Sequence, residues 1–120
     1  MQPQLFNFHG QPALDSREVA KMIGKRHRDL MRDIRRYISD ISTSAKLRAL
    51  DFFIENSYTD AKGETRKCYL LTKQGCEFVG NKLTGKKGTL FTAQYVSLFN
   101  EYQEEHKEIE AHMTSDEIAV

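Results

Sequence analysis

Tryptophan is missing from this chain of 120 residues, and cysteine and proline occur only twice each. Cys68 and Cys76 form no CxxC pair, and there is no second pair to complete a zinc site. They read as two reduced thiols of an intracellular protein rather than as a disulfide. Long uncharged runs are lacking as well. The two longest stretches without Lys, Arg, Asp or Glu, residues 1–14 and 88–100, have 14 and 13 residues and contain polar groups. A membrane-spanning helix needs about 20 mostly apolar residues, so none is expected. No basic segment followed by an apolar run opens the chain, which gives no sign of a signal peptide. A net charge of +1 supplies no global field to point to a partner.

The length suits one domain of ordinary size. Hydrophobic residues at 39% and charged residues at 29% exclude a disordered or fibrous chain. Seven Phe and five Tyr can fill the core that Trp does not. Charge is segregated along the chain. Residues 17–36 hold eight bases against three acids, and residues 46–88 hold nine against five. From residue 101 onward there are seven acids and one lysine. A basic body with an acidic C-terminal segment fits a polyanionic partner met by the body and avoided by the end.

The spacing of apolar residues and breakers predicts the following elements. Residues 1–14 read as a short strand or extended arm and a turn at Gly10 and Pro12. Ser16 is expected to cap a helix over 17–23, with Val19, Ala20 and Ile23 inward and Gly24 as its stop. Lys25, Arg26 and His27 form a link. A second helix over 28–38 carries the inner stripe Leu30, Ile34 and Tyr37/Ile38, with arginines outward. A polar loop over 39–45 and a helical turn over 46–50 follow. Strands over 52–59 and 65–71 flank a turn at 60–63, giving a hairpin. Thr72 caps a helix over 73–83 holding Cys76, Val79 and Leu83 in register. Gly85 and Gly88 bracket Lys86 and Lys87 in a tight connection, and Thr89 caps a last helix running to about residue 110. Its stripe is Phe91, Tyr95, Leu98 and Tyr102, widened by Leu90, Val96 and Phe99, so it should be more than half buried, in the core or against a partner. The domain spans 1–113, with 114–120 a disordered tail.

The sharpest functional signal lies between Ser16 and Ile34. A helix-turn-helix needs a small residue where its helices cross, Gly in the turn and apolar residues facing inward from both helices. Ala20, Gly24, Ile23, Leu30 and Ile34 stand at that spacing, with one departure: Lys25 occupies a position that is often apolar. His27 and Arg28 open the second helix, where side chains reach base edges, and Arg28 and Arg32 share an outward face. Arg grips guanine or phosphate with paired bonds, and Arg35 and Arg36 continue toward the helix end. The hairpin adds Lys62, Arg66 and Lys67 as a wing over neighbouring phosphates, and Lys86 and Lys87 form a further basic connection. The fold class expected is therefore α+β, a winged helix-turn-helix with a β-hairpin wing and a long C-terminal helix. The candidate DNA contacts are Lys25, Arg26, His27, Arg28, Arg32, Arg35, Arg36, Lys62, Arg66, Lys67, Lys86 and Lys87. The plainer alternative is a solvated Arg face steadied by Asp29 and Asp33.

The sequence resembles the phage regulatory protein Rha family. The resemblance is carried by Ser16-Arg17-Glu18-Val19-Ala20, Gly24-Lys25-Arg26-His27 and Arg32-Asp33-Ile34. It continues in Tyr69-Leu70-Leu71-Thr72-Lys73 with Gly75, in Thr84-Gly85-Lys86-Lys87, and in Tyr95-Val96 with Phe99-Asn100. It covers about residues 14–104. Gln74 stands where an acid is common in the family and Gly88 where Ala is common. The resemblance implies a temperate-phage or prophage regulator that binds DNA in the bacterial host cytoplasm, associated with the nucleoid. Members often carry a further C-terminal domain resembling phage antirepressors, so this chain is expected to be a short member or an N-terminal domain.

Three other patterns point nowhere. Residues 80–87 nearly match a phosphate-binding loop, but Lys87 stands where the Mg²⁺-holding hydroxyl belongs, and a helix precedes the loop where a strand is required. His9, His27, His106 and His112 are scattered, without the spacing of a metal site. No Ser or Cys lies in a nucleophile elbow. Neither an enzyme nor a cofactor is expected. Two functions from different classes remain: a regulator reading duplex DNA, paired as a homodimer through the helix over 89–110, and an antirepressor or adaptor that binds another protein.

Overall fold

The computed structural model describes residues 4–119, with side chains through residue 105. Residues 6–15 make a hairpin where the sequence suggested one strand or arm. Strand β1 (Phe6–Phe8) and strand β2 (Gln11–Asp15) are antiparallel, with Phe6 opposite Ala13. His9 and Gly10 both take positive φ, the backbone that a tight two-residue hairpin turn requires.

Helix α1 (Ser16–Ile23) follows directly. Its cap is Asp15 and not the expected Ser16: the Asp15 carboxylate accepts from the Arg17 amide at 2.8 Å, while Ser16 is the first helical residue and fully buried. Gly24 ends the helix in the left-handed region at φ 67°, as expected. Helix α2 (His27–Ile41) is longer than expected at both ends. His27 leaves the link to join it, and Ile41 extends the inner stripe of Leu30 and Ile34 by two further turns, so burial carries the helix past the residue-38 boundary. The helical turn expected over 46–50 is a 3-10 turn at Ala49–Asp51.

Strand β3 (Phe53–Thr59) and strand β4 (Thr65–Leu71) pair in register from Phe53 opposite Leu71 to Thr59 opposite Thr65. Gly63 takes φ 83° in the turn. Strand β2 pairs with β4 on its other edge, giving one antiparallel sheet in the order β1-β2-β4-β3. Alternation along β4 divides the interior. Tyr69 and Leu71 join the main core with Leu14, Val19, Ile34, Phe53 and Phe91, while Leu70 closes a small second core with Ala13 and Ile54.

Helix α3 (Lys73–Lys82) is capped by Thr72, which accepts from the Gly75 amide at 3.1 Å. A Cβ on Gly75 would lie 2.1 Å from the Phe52 carbonyl oxygen, so only Gly lets α3 approach the start of β3. Helix α4 (Gly85–Ala119) begins earlier than expected. Residues 85–88 are its first turn and not a connection, and Thr89 donates to the Gly85 carbonyl inside the helix instead of capping it. The reason is packing: Gly88 faces the Leu83 carbonyl, where a Cβ would lie at 3.2 Å, and α4 folds back on α3 there. Within the chain's own core the helix buries one stripe only. Phe91, Tyr95 and Phe99 form one buried stripe, Leu98 and Tyr102 are only half-buried, and Leu90 is 51% exposed. The tail expected over 114–120 lies beyond the residues whose side chains are described. Among the described residues, no helix is long and apolar enough to cross a membrane.

Candidate nucleic-acid interface

The two helices of the Ser16–Ile34 region are joined by a fixed turn. The amides of Gly24 and Lys25 bond to the carbonyls of Lys21 and Ala20 at 3.3 and 2.9 Å, so two of the last four carbonyls of α1 are satisfied. Ala20 and Ile23 are buried beside Leu30 and Ile34, which fixes one side of α2 on the core. The opposite side carries Arg28, Arg32 and Arg36 at intervals of four, with Arg35 exposed beside them.

Two acids lie between these arginines. Asp33 is buried, its side chain 8% exposed, and it accepts a hydrogen bond from Lys25 Nζ. Arg32 and Arg36 approach its other oxygen at 3.7 and 3.8 Å. Burial opposes ionisation of Asp33, but the Lys25 bond and the charges of Lys25, Arg32 and Arg36 outweigh it and hold its carboxyl below the usual range. Asp29 is 23% exposed and has Arg26, Arg32 and Arg28 at 3.4, 3.7 and 3.9 Å. The arginine side chains themselves stay 65–78% exposed. Lys25 is thus tied to the turn, while Arg26, Arg28, Arg32 and Arg36 remain presented to solvent.

His27 is placed differently from its neighbours. Its ring turns inward, with Nε2 2.8 Å from Ser16 Oγ. That oxygen also accepts the Tyr69 amide at 3.0 Å, and the direction of its bond to Nε2 follows the tautomer of the ring. Desolvation lowers the His27 pKa from its ordinary 6.5, against the attraction of Asp15 and with the repulsion of Arg17. It joins the start of α2 to α1 and the sheet.

Beside it lies a polar junction that sequence reading missed. Arg17 bonds both oxygens of Asp15, at 3.1 and 2.8 Å, and its guanidinium stacks 3.9 Å from the Tyr58 ring centre. The Tyr58 ring also meets His27 edge-on, at 6.3 Å between centres. Strand β3 is thereby held against the first turns of both helices. Burial raises the Asp15 pKa, but the Arg17 bonds prevail and its carboxyl sits below the usual range. These groups and Lys21, Lys25 and Phe6 line a concavity of about 1090 Å³. Asp15 next to Arg17 was a visible signal for the ion pair. Nothing local in the sequence showed that Tyr58 returns to it, because that contact depends on the register of β3 with β4.

The hairpin cations are held by acids of the turn and of the facing strand. Arg66 meets Asp60 at 2.9 Å and Glu64 at 3.1 Å, and Lys67 meets Glu55 at 3.6 Å. Lys62 is exposed, and its amide bonds the Asp60 carboxylate at 2.9 Å. Lys86 and Lys87 are exposed on the first turn of α4, and Lys87 Nζ would lie 3.7 Å from a Cβ on Gly24. That places a lysine of α4 beside the turn between α1 and α2.

Both cysteines are free and buried. Burial and the Asp15 charge push the Cys68 thiol up to about 11, and burial raises Cys76 as well, so neither is a ready nucleophile. Among the described residues, no group of three His, Cys, Asp or Glu could hold a metal ion.

A family model described as phage regulatory protein Rha matches residues 14–104. The "SPbeta prophage-derived putative antirepressor protein YoqD" of Bacillus subtilis (strain 168) is 55% identical over 95 residues, covering 79% of this chain and 38% of that protein. An uncharacterized protein of Haemophilus influenzae is 30% identical over 86 residues, covering 72% of this chain and 49% of that protein. The chain therefore spans less than half the length of these two relatives. No solved structure gives a significant match.

Proposed function

Because the chain belongs to the phage regulatory protein Rha family, we propose that it is a non-enzymatic regulator that reads duplex DNA as a winged helix-turn-helix. Helix α2 enters the major groove, Arg28 and Arg32 meet bases, and Arg35 and Arg36 meet phosphates. The β3–β4 hairpin is the wing, with Lys62, Arg66 and Lys67 over neighbouring phosphates, and Lys86 and Lys87 touch the backbone beside the turn. The observation that carries this reading is the outer side of α2: the exposed side chains of Arg28, Arg32, Arg35 and Arg36 on a helix whose other side is locked into the core. The order β2-β4-β3 beside α1 and α2 supports it. The protein works in the bacterial host cytoplasm, at the nucleoid.

One helix-turn-helix covers few base pairs, so two copies paired through α4 would read two half-sites. Phe91, Tyr95 and Phe99 are used in the chain's own core, which leaves Leu90 and the half-buried Val96 and Leu98 for that contact. Sedimentation at tens of micromolar tests the pairing, and a monomer mass unchanged by half-site DNA would end it. Selection of bound sequences from random duplex DNA tests the main reading. Enrichment of a motif is expected.

The second reading, an antirepressor that binds another protein, is favoured by the name of the Bacillus subtilis relative. Salt separates the two. Phosphate binding falls log-linearly with salt, and binding to a protein through apolar contacts does not.

A further inference from the structure

Asp29 is the more exposed of the two acids among the arginines of α2, and its position makes it more than a counter-ion. It is the third residue of α2, on the turn from which such a helix reaches base edges. Unlike Asp33, it is neither buried nor hydrogen-bonded to a cation. Its three arginine neighbours stand at 3.4–3.9 Å, beyond the usual hydrogen-bond length. When those guanidinium groups move onto DNA, the Asp29 carboxylate is left facing the groove.

A carboxylate cannot meet phosphates without repulsion, and it accepts hydrogen bonds but donates none. In the major groove only the amino groups of cytosine N4 and adenine N6 can donate to it. Adenine places the N7 lone pair beside N6, which repels a carboxylate, whereas cytosine places C5–H beside N4. The guanine across a C·G pair offers O6 and N7 to a neighbouring guanidinium, and Arg32 stands three residues on from Asp29. We propose that Asp29 is a specificity-determining residue that accepts a hydrogen bond from cytosine N4, with Arg32 on the paired guanine. This rests on the DNA-reading function proposed above.

The test uses the full chain. Sequences are selected from random duplex DNA with wild type, Asp29→Ala and Asp29→Asn, after thermal melting has verified that each variant folds. Wild type should require cytosine at one position of its motif. Asp29→Ala should lose that preference alone, and Asp29→Asn should shift it toward adenine, which Asn pairs bidentately. A duplex with N4-methylcytosine at that position loses the groove-facing hydrogen. It should bind wild type roughly ten-fold more weakly and Asp29→Ala about as well as before. Retention of the same cytosine preference by Asp29→Ala would overturn the proposal, as would equal weakening of both proteins by N4-methylation. If wild type enriches no motif at all, the DNA reading falls and this inference falls with it. If wild type enriches a motif that Asp29→Ala shares, only this inference fails.

Discussion

Helix α2 and the β3–β4 hairpin look alike when bases are counted, and they differ in where their acids sit. On α2, Asp33 is buried and Asp29 half-buried beneath exposed arginines, so the outermost layer is cationic. On the hairpin, Glu55 and Glu64 lie in the same exposed layer as Lys67 and Arg66 and pair with them, and the half-buried Asp60 pairs with Arg66 as well. With Lys62 included, three acids face three bases there. A phosphate approaching α2 meets cations first. One approaching the hairpin must first separate ion pairs. The comparison teaches that a basic stretch becomes a basic surface only when its acids fold beneath it.

The largest effect should come from the inner side of α2. Ile34→Ala should cost about 2–5 kcal/mol of stability by opening a cavity at a fully buried position, read as a lower urea midpoint. Hairpin substitutions such as Arg66→Ala should stay within about 0.5 kcal/mol. An equal loss at both places would mean that α2 is not anchored as described.

Next come the exposed arginines. Arg28→Ala and Arg32→Ala should each weaken binding to the selected duplex by about 1–3 kcal/mol while leaving the urea midpoint unchanged. Binding as tight as wild type in both variants would remove α2 from the interface.

The smallest effect concerns His27. Its folded pKa lies below its ordinary 6.5, so the unfolded chain takes up the proton first. Stability from the neutral ring is therefore complete above about pH 6.5 and falls as the pH drops through the lower folded value. His27→Gln keeps a side chain able to reach Ser16 and should flatten that decline between pH 7 and 5. A decline of the same size in both proteins would assign it to other groups.

Much of this architecture was legible in the sequence. Gly24, Gly63 and Thr72 mark a helix stop, a hairpin turn and a helix cap by local backbone chemistry, and the structure places them in those roles. The misses have physical causes. Asp15 and Ser16 are both good caps, and burial of Ser16 under Tyr69 and His27 decides between them. Residues 85–88 read as a loop because two glycines flank two lysines, yet close packing on Leu83 makes them helical. At the candidate site the sequence located the arginines of α2 but not the burial of Asp33. It missed the Arg17–Tyr58 junction, which joins residues 41 positions apart. It also counted the hairpin cations without their partners, since cross-strand pairing depends on register.

The salt dependence of duplex binding tests the central claim, that the outer side of α2 is the nucleic-acid contact, most directly. The logarithm of the binding constant should fall linearly with the logarithm of salt, by about 0.9 per phosphate contact. Arg35→Ala with Arg36→Ala should flatten that slope by nearly two such contacts, and Arg66→Ala with Lys67→Ala by less, because each wing contact first breaks an ion pair. A slope unchanged by the α2 pair but lost with the hairpin pair, or no salt dependence in wild type, would contradict the account.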